Sequence, residues 1–258
     1  MPPTFSQRPD GLNILLTIDL EDSLIEEIRA VSDEVTVIQP ENRDRILDVI
    51  SEIDIVFGGI SPPSLFERAA RLRWVQCPAA GVDGTLTPQL AASEVILTSA
   101  KGYVGVHLAE HAMALLLALT RGIGRAVRSA DWAQKWPIRN ASWELLGRTM
   151  GIVGLGGTGR DLATRASAFG MRLVAVDPEP VETPECIEAC WSMDRFDDLL
   201  EQSDVVAICA PLTPETEGMF DRDAFRRMQP HALLINVTRG RIVNEDALLE
   251  ALREGWIG

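Results

Sequence analysis

The sequence is poor in lysine, histidine, cysteine and tyrosine, and it has no long apolar run. Lys101 and Lys135 are its only lysines, and its formal net charge is −14. A field of that sign repels nucleic-acid phosphates and anionic lipid, so neither is expected as a partner. The apolar segments are short and broken by charge, so none is predicted to span a membrane.

Four cysteines are too few for a disulfide scaffold in a chain of 258 residues. Cys186 and Cys190 also lack the two-residue gap of a redox or zinc knuckle, so no metal site or disulfide is predicted. Residues 1–12 have no basic start followed by an apolar stretch, which argues against a signal peptide. The expected compartment is the cytoplasm.

The chain does contain short apolar strands that alternate with amphipathic helices, a pattern typical of α/β domains with parallel sheets. Strands are predicted at "LNILLTI", "EVTVIQ", "DIVFGG", "LRWVQC" and "VILTSA", and later at "TMGIVGLG", "RLVAVDP", "DVVAICAP" and "ALLINV". One long helix, "VHLAEHAMALLLALTRGIGRAV", and a tryptophan-containing loop separate the two series. The prediction is two doubly wound parallel-sheet domains, residues 1–99 and 100–258.

A glycine-rich turn, "GIVGLGGTGR", carries the most chemical information. Gly154, Gly156 and Gly159 form G-x-G-x-x-G directly after a buried strand and before a helix. This context predicts a dinucleotide site in which the backbone approaches the pyrophosphate and the helix N-terminus faces it. Asp177 ends the next strand, where a carboxylate accepts hydrogen bonds from ribose hydroxyls and repels a 2′-phosphate. With Glu179 nearby, NAD is predicted rather than NADP.

A second motif, "HLAEH" from His107 to His111, fits the H-x-x-E-H pattern of a metallopeptidase family. Both histidines would share one face of a helix. The only other histidine is His231, and no third ligand is evident. We therefore expect polar helix positions near an interdomain cleft, and metallopeptidase activity stays a distant alternative.

From about Trp74 onward the sequence resembles the D-isomer-specific 2-hydroxyacid dehydrogenases, which reduce 2-keto acids with NAD(P)H. "WVQCPAAGVD" is similar to the substrate loop of that family, and "SAKGYVGVHLAEHAMALLLALTR" to its interdomain and dimer helix. The segment from Ser203 to Leu252 follows the longest motif of the family closely. The resemblance implies a flavodoxin-like substrate domain, a Rossmann NAD-binding domain, a small 2-keto or 2-hydroxy acid as substrate, and a homodimer formed through residues 103–123.

The resemblance also implies roles for single residues. Arg239 in "NVTRG" matches the catalytic arginine, whose guanidinium can grip a planar carboxylate and polarise the adjacent keto oxygen. Ala80, Gly81 and Val82 would turn backbone N–H groups towards the substrate carboxylate. The implied cofactor-binding residues are Gly154, Gly156, Gly157, Thr158, Gly159, Arg160, Asp177, Cys209, Ala210, Pro211, Thr216, Val237 and Thr238.

The sequence departs from the family after Gly258. In the family, a glutamate and a proton-donating histidine lie C-terminal to the arginine segment, and neither is present here. The expectation is an incomplete cofactor domain, an absent return segment to the substrate domain, and impaired turnover. A non-catalytic NADH-binding or regulatory protein on the same fold is the alternative that this absence leaves open.

Overall fold

The computed structural model describes residues 11–258. The chain divides into two compact units, Met1–Lys101 and Gly102–Gly258, and each contains one five-stranded parallel sheet. The two parallel sheets with interleaved helices agree with the predicted fold class.

The first unit has the strand order β2-β1-β3-β4-β5, which is the flavodoxin-like order. Its strands are β1 (Leu12–Leu16), β2 (Val35–Ile38), β3 (Ile55–Phe57), β4 (Trp74–Cys77) and β5 (Ile96–Ser99). Its helices are α1 (Asp22–Arg29), α2 (Arg43–Val49), α3 (Pro63–Arg68) and α4 (Pro88–Ala91), with a 3₁₀ turn at Ile50–Glu52. The side chains of Leu15, Val56 and Val75 are fully buried and form the centre of its core.

The second unit has the strand order β10-β9-β6-β7-β8, which, read from β8, is the first five strands of the Rossmann order 3-2-1-4-5-6. Its strands are β6 (Thr149–Val153), β7 (Arg172–Val176), β8 (Ala189–Trp191), β9 (Val205–Ile208) and β10 (Leu233–Asn236). Its helices are α5 (Gly105–Thr120), α6 (Ile123–Ser129), α7 (Lys135–Asn140), α8 (Gly157–Ser167), α9 (Phe196–Gln202), α10 (Arg222–Arg227) and α11 (Glu245–Glu254). The strands β6 and β9 are buried throughout, as their unbroken apolar runs predict.

Two local predictions were wrong, and one strand was missed. The long helix is broken at Gly122, whose φ of 64° is left-handed, so that α5 and α6 are separate helices. The tryptophan-containing loop includes a 3₁₀ turn at Trp132–Gln134 and the helix α7. The edge strand β8 was not predicted, because three residues are too few to establish an alternating pattern.

An aspartate stands at the amino end of one strand in each unit and ties it to its neighbour. Asp54 is fully buried and accepts a hydrogen bond from the N–H of Asn13 at 3.1 Å. Asp204 accepts one from the N–H of Thr149 at 2.8 Å and pairs with Arg148, also at 2.8 Å. These contacts fix the register at the edge opposite to the carboxyl ends of the strands.

Within residues 11–258, no helix has both the length and the apolar character that crossing a bilayer requires.

Candidate active site

The glycine turn joins β6 to α8 at the carboxyl edge of the second sheet. Gly154 has a φ of 93°, and a Cβ there would lie 2.7 Å from the backbone nitrogen of Ala210. A Cβ on Gly159 would overlap the carbonyl oxygen of Gly154, so only glycine lets α8 pack this closely on the strand. Gly156 differs, because a Cβ there would meet no atom within 4 Å. The turn is therefore tightly packed on the protein side and open above Gly156.

Asp177 follows β7 and holds this turn with its carboxylate. Its Oδ2 accepts a hydrogen bond from the N–H of Leu155 at 2.7 Å, and its Oδ1 accepts one from the N–H of Glu179 at 3.1 Å. On the other side of the turn, Nε of Arg160 donates to the carbonyl oxygen of Leu155 at 3.2 Å. Leu155 is thus fixed at both its N–H and its C=O.

The loop after β9 carries the next group of predicted residues. The backbone N–H of Cys209 donates to the carbonyl of Val153 at 2.8 Å. Burial raises the pKa of the Cys209 thiol to about 12, so the sulfur stays protonated at neutral pH. The Thr216 hydroxyl donates to the carbonyl of Pro211 at 2.8 Å and accepts from the N–H of Thr213 at 2.8 Å. Thr216 therefore closes the loop that contains Pro211.

Val237, Thr238 and Arg239 follow the end of β10, and all three are half-buried. Because β10 pairs in parallel with β9, and β9 with β6, these residues leave the sheet at the same edge as the glycine turn. Nη1 of Arg239 donates to the carbonyl of Thr238 at 3.2 Å. The backbone of Arg239 is extended, with φ −131° and ψ 132°.

In the first unit, Ala80, Gly81 and Val82 lie in the loop after β4. The carbonyl of Val82 accepts hydrogen bonds from the N–H groups of Thr85 and Leu86, at 2.8 and 2.7 Å. The buried Cys77 thiol contacts the Gly81 carbonyl at 3.8 Å and the Thr85 hydroxyl at 3.5 Å. Cys77, to which the sequence analysis assigned no role, thus contacts this loop at two points.

The histidine motif does not assemble a metal site. His107 and His111 lie on α5 with exposed side chains, and Glu110 between them pairs with Arg165 at 3.2 Å. In the part of the chain that the structure describes, no three histidine, cysteine or acidic side chains come close enough to hold a metal ion. His107 and His111 lie four residues apart on one face of α5, and no third metal-ligating side chain joins them among residues 11–258.

Sequence reasoning also missed Asn236, the last residue of β10. Its side-chain amide bonds to Thr238 and to the carbonyl of Arg239, at distances from 2.9 to 3.2 Å. An asparagine at a strand end, two residues before a threonine, is a common way to stabilise a turn through side-chain to backbone bonds. That pattern is present in "INVTRG" and could have pointed to this role.

The second unit fits a dinucleotide. The helix α8 begins without a side-chain cap, so its first N–H groups are available to an anion. The open space above Gly156 allows the close approach of a phosphate to the main chain. Asp177 stands at the end of the neighbouring strand, where dinucleotide-binding sheets hold the ribose.

Comparison with known proteins leads to the same chemistry. Residues 113–258 match the family model described as D-isomer specific 2-hydroxyacid dehydrogenase, NAD binding domain. The glyoxylate reductase of Korarchaeum cryptofilum is 34% identical over 225 residues, which are 84% of this chain and 68% of that protein. The D-3-phosphoglycerate dehydrogenase of Methanocaldococcus jannaschii is 30% identical over 253 residues, which are 95% of this chain and 47% of that protein.

Solved structures show the same two-sheet architecture. A D-isomer specific 2-hydroxyacid dehydrogenase family protein from Aeromonas salmonicida is 27% identical with a TM-score of 0.81, over 96% of this chain and 79% of that one. The NAD-dependent formate dehydrogenase of Staphylococcus aureus, in complex with NAD, is 27% identical with a TM-score of 0.77, over 95% and 78%. The chain belongs to the D-isomer-specific 2-hydroxyacid dehydrogenase family, and its residues 113–258 match the NAD-binding domain of that family.

Proposed function

We propose that the chain reduces a small 2-keto acid to a D-2-hydroxy acid, or catalyses the reverse reaction, with NAD(H). The observation that carries this proposal is the half-buried Arg239 at the end of β10, on the sheet edge that also holds the glycine turn and Asp177. Relatives named glyoxylate reductases support a substrate of this size. When bound, NADH supplies the hydride, and the residues of the chain bind and orient the reactants.

We propose that the cofactor lies along the carboxyl edge of the second sheet. The turn from Gly156 to Arg160 would bind the pyrophosphate, because its N–H groups are uncapped and the space above Gly156 is open. Asp177 would accept hydrogen bonds from the adenosine ribose, since a carboxylate has lone pairs beyond the two that Leu155 and Glu179 use. Cys209, Ala210, Pro211 and Thr216 would line the adenosine side, and Val237 and Thr238 the nicotinamide ribose.

Arg239 would bind the substrate carboxylate through its planar guanidinium and hold the keto carbon in reach of the nicotinamide. The same positive charge would stabilise the keto oxygen as it gains negative charge. In the first unit, Ala80, Gly81 and Val82 are proposed to bind substrate through their backbone N–H groups, as the family resemblance implies. The bonds that the N–H groups of Thr85 and Leu86 donate to the Val82 carbonyl hold the loop that carries these residues.

The test replaces Arg239 by alanine and compares it with Arg241→Ala. Arg241 is two residues away, and its exposed side chain pairs with Glu217 at 2.6 Å. With glyoxylate and NADH, Arg239→Ala should lower kcat/KM about 100-fold or more, because it removes a transition-state donor. NADH affinity should change little, and Arg241→Ala should behave as the wild type. Unchanged turnover in Arg239→Ala, or a wild-type chain that neither turns over nor binds a 2-keto acid analogue, would refute the proposal.

We also propose a homodimer formed through residues 103–123. Large apolar side chains on this segment are exposed, among them Tyr103, Val106 and Leu119. Leu119 is 54% exposed, and Leu249 on α11 is 49% exposed and lies outside the segment, so Leu249→Glu is a matched control. In sedimentation equilibrium, Leu119→Glu should give a monomer while the wild type and Leu249→Glu stay dimeric. A Leu119→Glu variant as dimeric as the wild type would place the interface elsewhere.

A further inference from the structure

The side-chain amide of Asn236 holds three atoms of the loop that carries Arg239. Its Oδ1 accepts hydrogen bonds from the backbone N–H of Thr238 at 3.0 Å and from the Thr238 hydroxyl at 3.2 Å. Its Nδ2 donates to the carbonyl oxygen of Arg239 at 2.9 Å. An asparagine offers one acceptor and two donors, so both ends of this amide are used inside a single turn.

The same loop is held from its far side by backbone contacts. The N–H of Ile242 donates to the Arg239 carbonyl at 3.3 Å, within the 3₁₀ turn Gly240–Ile242. The carbonyls of Arg241 and Ile242 accept from the N–H groups of Gly218 and Phe220, at 2.8 and 3.1 Å. The chain after Arg239 is therefore fixed by main-chain bonds, and the Asn236 amide adds side-chain bonds to Thr238 and Arg239 just before it.

We propose that Asn236 is a positioning residue that sets the direction in which the Arg239 side chain leaves the backbone. The inference rests on the proposed function, in which Arg239 grips a substrate carboxylate. Bidentate binding of a planar carboxylate needs the guanidinium within about 0.5 Å and 10–20° of its productive position. The guanidinium stands at the end of a long side chain, so a change of direction at Cα displaces it, and a displacement near 1 Å can cost about 100-fold.

The competing explanation is that Asn236 only stabilises the fold. The two explanations differ in what happens once Arg239 is gone. A residue that acts through Arg239 has nothing left to position in an Arg239→Ala background, so its own substitution should then have no effect on substrate binding. A residue that stabilises the sheet end in general should have the same effect in both backgrounds.

The experiment is a double-mutant cycle with Asn236→Ala, Arg239→Ala and both together. Oxamate is the probe, because it presents a planar carboxylate beside a carbonyl and is not reduced. Its Kd is measured by fluorescence titration at saturating NADH for each variant, so that differences in NADH affinity drop out. Asn236→Ala should weaken oxamate binding about 10- to 100-fold, and in the Arg239→Ala background the further change should be less than twofold.

Asn244→Ala is the matched control. Asn244 caps α11 by accepting a hydrogen bond from the N–H of Ala247 at 3.0 Å, so its loss removes a similar side-chain to backbone bond eight residues away. It should lower the melting temperature, by less than Asn236→Ala because one hydrogen bond is lost instead of three, and should leave the oxamate Kd unchanged. If Asn236→Ala does not fold, Asn236→Asp serves in the cycle, because it keeps the acceptor oxygen and lacks the donor to the Arg239 carbonyl.

The two ways of failing are distinct. Suppose that Arg239→Ala weakens oxamate binding, but that Asn236→Ala leaves the oxamate Kd as unchanged as Asn244→Ala does, or changes it equally with and without Arg239. The positioning role is then wrong and the proposed function stands. If Arg239→Ala binds oxamate as the wild type does, or the wild type with NADH does not bind oxamate, the proposed function is wrong and the positioning role falls with it.

Discussion

Gly154 and Gly156, in one turn, offer a matched pair of alanine substitutions with opposite expected effects. At Gly154, φ is 93° and a Cβ would lie 2.7 Å from the nitrogen and 2.8 Å from the Cα of Ala210. The backbone conformation costs an alanine about 1–3 kcal/mol, and overpacking against a neighbour costs about 1–3 kcal/mol more. Gly154→Ala should therefore lower the free energy of unfolding by about 2–6 kcal/mol.

At Gly156, φ is −73° and no atom lies within 4 Å of the Cβ position. Alanine fits there without strain, so the free energy of unfolding should stay within about 1 kcal/mol of the wild type. The added methyl group would nevertheless fill the space through which the pyrophosphate is proposed to approach the backbone. NADH binding should weaken at least tenfold, which corresponds to about 1.4 kcal/mol.

Both variants are measured by urea unfolding, followed by circular dichroism, and by titration with NADH, followed by fluorescence. Gly154→Ala should shift the unfolding midpoint strongly, whereas Gly156→Ala should keep the wild-type midpoint and lose cofactor affinity. A Gly156→Ala variant that binds NADH as tightly as the wild type would show that the pyrophosphate does not bind at this turn. A Gly154→Ala variant with the wild-type midpoint would refute the steric argument.

Two further predictions concern ionisable groups. Burial raises the pKa of Asp204, but the N–H of Thr149 and the side chains of His231 and Arg148 outweigh it, so the net shift is downward. Its stabilising effect is then complete above the unfolded pKa of about 3.9 and is lost as pH falls through the lower folded value. Asp204→Asn should lower the free energy of unfolding by about 1–3 kcal/mol at pH 7. Urea titrations measure this difference between variant and wild type, and a difference that stays as large near pH 2 would contradict this reasoning. Because the pKa of the Cys209 thiol is about 12, iodoacetamide at pH 8 should leave it unmodified by peptide mass spectrometry until urea unfolds the chain, and rapid labelling of the folded protein would show that the thiol is accessible.

Sequence patterns predicted most of the sheet strands because buried parallel strands are unbroken apolar runs, as in β6 and β9. The glycine turn was also predictable, since its chemistry is local and needs only the spacing of three glycines between a strand and a helix. The break at Gly122 was missed because apolar residues occur on both sides of it, up to Leu119 in α5 and from Ile123 in α6. The contact between Asp204 and His231 joins residues 27 apart, and neither residue has a local pattern that indicates it.

The site residues divide in the same way. The resemblance to a family named Arg239 as a candidate, but the amide that holds its loop is visible only once the turn is folded. Cys77 beneath the loop of Ala80, Gly81 and Val82 is similar, because its neighbours Gly81 and Thr85 reach it through the fold of the loop. Supporting contacts of this kind form only when the loop folds, so the spacing of residues along the sequence does not predict them.

The carboxylate of Asp177 has consequences for how cofactor preference can change over evolution. Because the N–H of Leu155 donates to it, this side chain shapes the glycine turn in addition to its proposed role of repelling a 2′-phosphate. A small or basic residue at this position would remove the charge and leave that N–H without its acceptor in one step. A lineage moving towards NADP would pass through an ancestor with a loosened turn, unless a substitute acceptor for Leu155 arose first. Single-step drift in cofactor use is therefore hindered by the architecture of the turn itself.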